Sequence, residues 1–102
     1  MRDIIRELIR LGPIPSYSEA TSEILDQYSD LLESIEKPVT DEEAKELIIL
    51  FSPDDAGDLN YAIIHLVETS PNWPLQDFLT NQPNSEFVEV LINRAKRGGL
   101  WK

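Results

Sequence analysis

Cysteine is absent from this chain of 102 residues, so disulfides and Cys-based metal sites are excluded. Long apolar runs are missing too. The longest extends from Leu47 to Phe51, far short of the roughly 20 residues that span a bilayer. The first twelve residues carry charges every two or three positions and lack the apolar stretch of a secretory signal. We expect a cytoplasmic protein that does not contact membranes.

Basic residues are scarce. Nine Lys and Arg stand against 19 Asp and Glu, which gives a formal net charge of −10. Lys37 and Lys45 are the only basic residues between positions 11 and 93. The same stretch contains all the acidic residues except Asp3 and Glu7. Such a balance repels nucleic acids and anionic membranes and attracts cationic surfaces. We therefore expect a protein partner with a basic surface and no nucleic-acid binding.

Groups that perform catalysis or hold metals are few. His65 is the single histidine, and the four glycines form no phosphate-binding loop. Asp54, Asp55 and Asp58 lack the spacing of a calcium-binding loop. We expect no enzyme activity, cofactor or metal. An enzyme that uses Glu68 and Asp77 is the weakest alternative, because no second catalytic group is paired with either.

The length and the 41% hydrophobic content fit one globular domain over residues 1–102. Helical signals recur along the chain between proline-containing breaks, whereas strand-like alternation is hard to find. These patterns predict an all-α fold of about six helices. The predicted helices cover residues 2–11, 18–35, 41–51, 53–69, a short segment around 75–79, and a last helix that starts after Asn84 or Ser85 and ends at Gly98 and Gly99.

Two helix starts are predicted from capping chemistry. Thr40 and Glu43 have the spacing of a capping box before the third helix. Ser52 followed by Pro53 suggests a cap and a first helical residue for the fourth. Short turns between such helices favour antiparallel neighbours, packed either as a compact bundle or as a short HEAT-like array.

Two other residues draw attention. Gly57, inside the predicted fourth helix, indicates either close approach by a neighbour or simple tolerance near a helix start. Trp73 is more typical of a core side chain that covers a helix junction than of a ligand platform, and both interpretations remain open.

Acidic residues recur at helical spacing on two predicted helices. In the second helix they form a stripe opposite the apolar face: Glu19, Glu23, Asp26, Asp30 and Glu33. In the fourth helix the stripe includes an aromatic ring and an imidazole: Asp54, Asp58, Tyr61, His65 and Glu68. Like charges four residues apart cost a few tenths of a kcal/mol each. Both a solvated face and a partner-binding face remain open, and the mixed stripe is more typical of an interface.

The candidate contact residues follow from these stripes. The first choices are Asp54, Asp58, Tyr61, His65 and Glu68. The second choices are Glu23, Asp26, Asp30 and Glu33.

Two segments of the chain resemble one known group of proteins. They are Phe51-Ser-Pro-Asp-Asp55 and His65-Leu-Val-Glu-Thr-Ser-Pro-Asn-Trp-Pro74. The order is similar to that in all-helical, HEAT-like bacterial immunity proteins of polymorphic or contact-dependent toxin systems, where a Pro-Asp-Asp helix start leads into a His-Leu-Ile-Glu-Thr-x-Pro helix end. The resemblance implies that the chain binds and neutralises a toxin domain. A basic toxin would also fit the acidic stripes.

A second function fits the composition as well. A non-catalytic helical adaptor or oligomerisation module would have the same helices and an acidic surface. Its affinity would depend on apolar rather than acidic side chains, or it would associate with itself.

Overall fold

The computed structural model describes residues 2–54, 58–82 and 86–102, and within these ranges the regular structure is entirely helical. The helices are α1 (Asp3–Leu11), α2 (Ser22–Glu33), α3 (Asp41–Ile49), α4 (Leu59–Val67), α5 (Gln76–Thr80) and α6 (Glu86–Arg97). The predicted all-α fold of about six helices is confirmed. None of the described helices is long and apolar enough to cross a membrane.

The start of α3 and the end of α6 follow the predicted local chemistry. The Glu43 backbone N–H donates to the Thr40 hydroxyl at 3.1 Å, and the Thr40 N–H donates to the Glu43 carboxylate at 2.9 Å. The capping box is therefore confirmed. After α6, Gly99 has a φ of 73°, which suits glycine at a helix end. The predicted caps Asn84 and Ser85 lie outside the described residues.

The predicted start of α2 at Ser18 is wrong. The helix begins at Ser22 because the Thr21 side chain is the N-cap and accepts the Ile24 N–H at 3.2 Å. The Ser18 hydroxyl instead lies 3.2 Å from the Ser16 hydroxyl within a turn. Ile24, an apolar residue in the first turn of the helix, is 39% exposed.

The predicted start of α4 at Pro53 is also wrong, since the helix begins at Leu59 after Asp58 at φ 70°. Ser52 does not cap a helix, because its backbone is held by the buried side chain of Asn60. The Ser52 N–H donates to Asn60 Oδ1 and the Asn60 amide donates to the Ser52 carbonyl, both at 2.8 Å. Gly57, which was predicted either to allow close approach by a neighbour or to be tolerated near a helix start, lies outside the described residues.

Helices α1 and α3 lie side by side and run in the same direction. Arg2, just before α1, pairs with Glu43 in the first turn of α3. Beyond the other end of α1, the Ile14 N–H donates to the carbonyl of Leu50, the C-cap of α3, at 3.0 Å. The two helices are thus joined at matching ends.

Helices α4 and α6 are related in the same way. The rings of Tyr61 and Phe87 are in contact, and seven residues further along each helix Glu68 pairs with Arg94. Contacts at equal spacing require parallel helices. Since α2 packs against α4, helices α2, α4 and α6 form one layer, while α1 and α3 form the other. Lys45 lies 5.8 Å from the centre of the Phe78 ring and places α5 beside α3.

The core lies between these two layers and is continuous. It includes buried side chains from every helix, among them Ile5, Leu8, Leu32, Leu47, Ile63, Leu79 and Leu91. Trp73 is half-buried and packs against this cluster, which agrees with its interpretation as a core side chain. The Cα radius of gyration is 13.0 Å, the value expected for a compact domain of about 100 residues.

Candidate protein-binding face

Helix α4 is covered on most sides and exposes only a narrow strip. It packs against α2 and α3 and buries most of its side chains, namely Leu59, Asn60, Ile63, Ile64, Leu66 and Val67. The exposed residues along it are Asp58, Tyr61 and His65, one on each successive turn. Three of the predicted contact residues therefore lie together at the surface.

Tyr61 is the best-positioned aromatic side chain of this strip. It is 41% exposed, and its ring meets the Phe87 ring edge-on at 6.4 Å between centres. A ring that is held from behind loses little conformational entropy when a partner covers it. Tyr61 thus has the properties of an interface anchor.

Asp54 does not belong to the helical strip. It lies in the turn after α3, where its carboxylate accepts the Tyr17 N–H at 2.9 Å and the Ser52 hydroxyl at 3.2 Å. These bonds attach the α1–α2 connection to the α3–α4 connection. The expected continuous stripe from Asp54 to Glu68 is therefore interrupted, although Asp54 itself is exposed.

Glu68, at the other end of the strip, is half-buried and already has a partner within the chain. Its two carboxylate oxygens accept hydrogen bonds from the Arg94 guanidinium at 2.9 and 2.8 Å. The hydrogen bond to Glu68 is the main reason why the pKa of Arg94 is raised. This pair joins α4 to α6 and neutralises the Glu68 charge.

The acidic stripe of α2 is fully at the surface. All four of its predicted contact residues are exposed, namely Glu23, Asp26, Asp30 and Glu33. Within the described chain, none of them lies within 4.0 Å of a basic group. The last turn of α2 also contains no basic residue that would complement the negative end of the helix dipole. These carboxylates are thus free to interact with a partner.

The two stripes meet where α2 packs against α4. Glu33 and His65 line one depression of about 280 Å³, whose walls also include Leu32, Ile35, Lys37, Ala62 and Leu66. The second-choice acidic stripe and the first-choice mixed strip consequently form one surface. We call this surface, consisting of Glu23, Asp26, Asp30, Glu33, Asp58, Tyr61 and His65, the α2–α4 face.

The sequence patterns assign no site role to Phe87, Arg94 or Asn60, yet these residues organise the face. The Phe87 ring packs against the Tyr61 ring, and Arg94 forms an ion pair with Glu68. Asn60 forms a hydrogen bond with the backbone of Ser52, ahead of α4. One signal was present: Asn60 is a polar residue at a buried position of an apolar helix. The contacts of Tyr61 with Phe87 and of Glu68 with Arg94 join helices distant in sequence, so the sequence alone does not reveal them.

The α2–α4 face presents exposed carboxylates beside an exposed aromatic ring and an imidazole. In the described parts of the chain, no group of three or more His, Asp or Glu residues has the arrangement to hold a metal ion. No model of a protein family, no curated protein and no solved structure matches the chain.

Proposed function

We propose that the chain is a non-catalytic bacterial immunity protein of the cytoplasm. It binds a cognate toxin domain with a basic surface and neutralises the toxin by covering that surface. The observation that carries the proposal is the set of exposed carboxylates on α2 that adjoins His65 of α4, on the helix that also exposes Tyr61.

The placement of the α2 acids supports a role in binding. Asp30 and Glu33 lie in the last turn of α2, where a negative charge is unfavourable by about 0.3–1 kcal/mol. Asp26 and Asp30 also repel each other across one turn. Neither feature helps the fold, whereas both increase the negative potential that a basic partner meets, which raises its rate of association.

Charge raises the rate of association but provides little packing with the partner. Helix α4 provides the packing surface. Tyr61 offers a supported ring, and the depression between Glu33 and His65 offers apolar walls. Interfaces concentrate their binding free energy in such aromatic positions, with charged residues around them. The α2–α4 face has both parts side by side.

The order of the helices supports the HEAT-like part of the proposal. The parallel pairs α1/α3 and α4/α6 fit stacked helical hairpins. So do α3 and α4, whose opposite ends are joined by the Val39–Thr69 and Ser52–Asn60 hydrogen bonds. The resemblance of the Phe51–Asp55 and His65–Pro74 segments to immunity proteins points to the same architecture.

The proposal is tested by co-expression. The chain is produced in cells together with the protein encoded beside its gene, and growth and complex formation are measured. We expect protection and a stable complex. The double variant Asp30→Lys with Glu33→Lys should lower affinity at least about tenfold, because two attractive charges become repulsive.

A charge-matched control is available on the other layer. Asp3 and Glu42 are exposed acids of α1 and α3, so Asp3→Lys with Glu42→Lys changes the net charge equally. This control should protect like the wild type. Failure of the wild type to protect or bind would refute the immunity role, and equal loss in both double variants would refute the α2–α4 face.

The adaptor or oligomerisation alternative is favoured by one observation. Ile49 and Leu100 are apolar side chains that are 53% and 50% exposed, and a partner or a second copy of the chain would bury them. That function predicts self-association in sedimentation experiments, unaffected by the α2 charge reversals.

A further inference from the structure

A second surface feature lies at the junction of α3 and α6. It is a groove of about 290 Å³ whose walls are mainly apolar: Ile48, Ile49, Phe51, Pro53, Phe87 and Val88. We call it the α3–α6 groove. Ile49, in the last turn of α3, stands at its edge and is 53% exposed. The groove is thus a shallow edge of the core, at which Ile49 supplies an exposed apolar side chain.

Aromatic rings link the α3–α6 groove to the α2–α4 face. Phe51 lies 5.7 Å from Phe87 between ring centres, and Phe87 lies 6.4 Å from Tyr61. Phe87 is buried and in contact with both other rings, so it holds them in fixed positions. A partner that covers Tyr61 is therefore brought next to the groove.

The charge at the α3–α6 groove is acidic. Of the described residues that line it, Glu86 is acidic and none is basic. Glu86 is exposed, and no basic side chain of the described chain pairs with it.

We propose that the α3–α6 groove receives one apolar side chain from a partner segment in which Lys or Arg flanks that side chain. The apolar walls disfavour a charged side chain in the groove itself, and the exposed carboxylate of Glu86 attracts positive neighbours. A volume of about 290 Å³ is large enough for an apolar side chain. This inference rests on the proposed function, since it specifies the partner of the same protein.

The inference is tested with two short peptides as probes. One has leucine between two pairs of lysines, and the other has serine in place of the leucine. Each is titrated into the labelled full chain while methyl and aromatic NMR signals are followed. We expect the leucine peptide to bind about tenfold more tightly and to shift the signals of Ile49, Val88 and Phe87.

Matched variants locate the binding site. Ile49→Ser removes the exposed apolar edge and should weaken the leucine peptide about fivefold or more. Ile9→Ser is the control, because Ile9 is 40% exposed on α1. It should leave peptide affinity unchanged. Circular dichroism of both variants verifies that the helices persist.

Several results would overturn the inference. Equal affinity for the two peptides, or shifts confined to α2, would show recognition by charge alone. If a peptide with leucine between glutamates binds equally well, the acidic charge at the groove does not contribute to recognition. Concentration-dependent sedimentation that Ile49→Ser abolishes would identify a second copy of the chain as the occupant.

Failure of the inference and failure of the proposed function are distinguishable. If the chain protects cells from the neighbouring toxin and Ile49→Ser protects equally, only the groove assignment falls. If the leucine peptide binds in the groove but the chain gives no protection, the groove stands and the immunity role falls.

Discussion

Asn60 is a polar residue inside an apolar helix, and its amide connects α4 to the turn that follows α3. The side chain is completely buried and forms two hydrogen bonds of 2.8 Å with the backbone of Ser52. Removing it leaves a buried N–H and a buried carbonyl without these partners. We expect Asn60→Ala to lower the free energy of unfolding by about 2–4 kcal/mol, measured by urea denaturation.

Asn93 provides the control for this prediction. It is exposed on α6, so Asn93→Ala should change the free energy of unfolding by less than about 0.5 kcal/mol. Equal effects of the two substitutions would mean that the hydrogen bonds to Ser52 contribute nothing specific.

Glu43 couples the fold to pH. It is 2% exposed and accepts two hydrogen bonds of 2.9 Å from the Arg2 guanidinium. The Arg2 hydrogen bond is the largest cause that lowers the pKa of Glu43 from 4.5 to about 2. In the unfolded chain this group regains its ordinary pKa, so the unfolded state binds more protons between these values. Stability therefore falls as the pH drops through this window, by up to about 3 kcal/mol.

Glu43→Gln isolates this contribution. The pKa values of Glu7 and Asp41 are also lowered, so the wild type and the variant share the acid sensitivity of those groups. The difference in unfolding free energy should be largest near neutral pH and should shrink toward pH 2. Parallel curves at all pH values would contradict the assignment.

At the scale of single helices, α2 combines the binding surface that we propose with unfavourable electrostatics. Replacing Asp30 and Glu33 by Lys in its last turn should complement the helix dipole and remove a repulsion with Asp26. We expect this double variant to be more stable by about 0.5–1 kcal/mol in thermal or urea unfolding, although it binds the toxin less tightly. Such opposite effects are typical of residues retained for function. A less stable double variant would show that the acids support the fold.

The presence of the helices was predictable from the sequence. The starts of α2 and α4, and the choice of which helices pack together, were not. Thr40 and Glu43 cap each other within four residues, so local chemistry alone defines the start of α3. Ser52 has an equally good local motif, but a tertiary contact with Asn60 takes its backbone. Glu68 and Arg94 are 26 residues apart in sequence, and they pair only because α4 and α6 pack in parallel. Such contacts are set by packing, which a single sequence does not display.

The candidate site shows the same division. Exposure of Asp58, Tyr61 and His65 followed from helical periodicity, because one face of α4 had to be buried. That His65 and Glu33 line the same depression was not predictable, because it depends on the packing of α2 against α4.

For the molecule as a whole, the net charge of −10 acts in opposite directions on folding and on binding. Within the chain, repulsion among the exposed acids destabilises the compact state. Toward a basic toxin, the same acids accelerate association. Added salt screens both interactions, since the screening length shortens from about 30 Å at 0.01 M to about 8 Å at 0.15 M.

We therefore expect salt to stabilise the free protein while it slows toxin binding. Raising the salt over that range should increase the free energy of unfolding modestly and lower the association rate constant about tenfold or more. Urea denaturation and stopped-flow mixing measure the two quantities. The Asp30→Lys, Glu33→Lys variant should show weaker responses in both, because it carries four fewer negative charges in net terms. A rate constant independent of salt would mean that the toxin is recognised by apolar contacts, with the acids of α2 serving only the solubility of the chain.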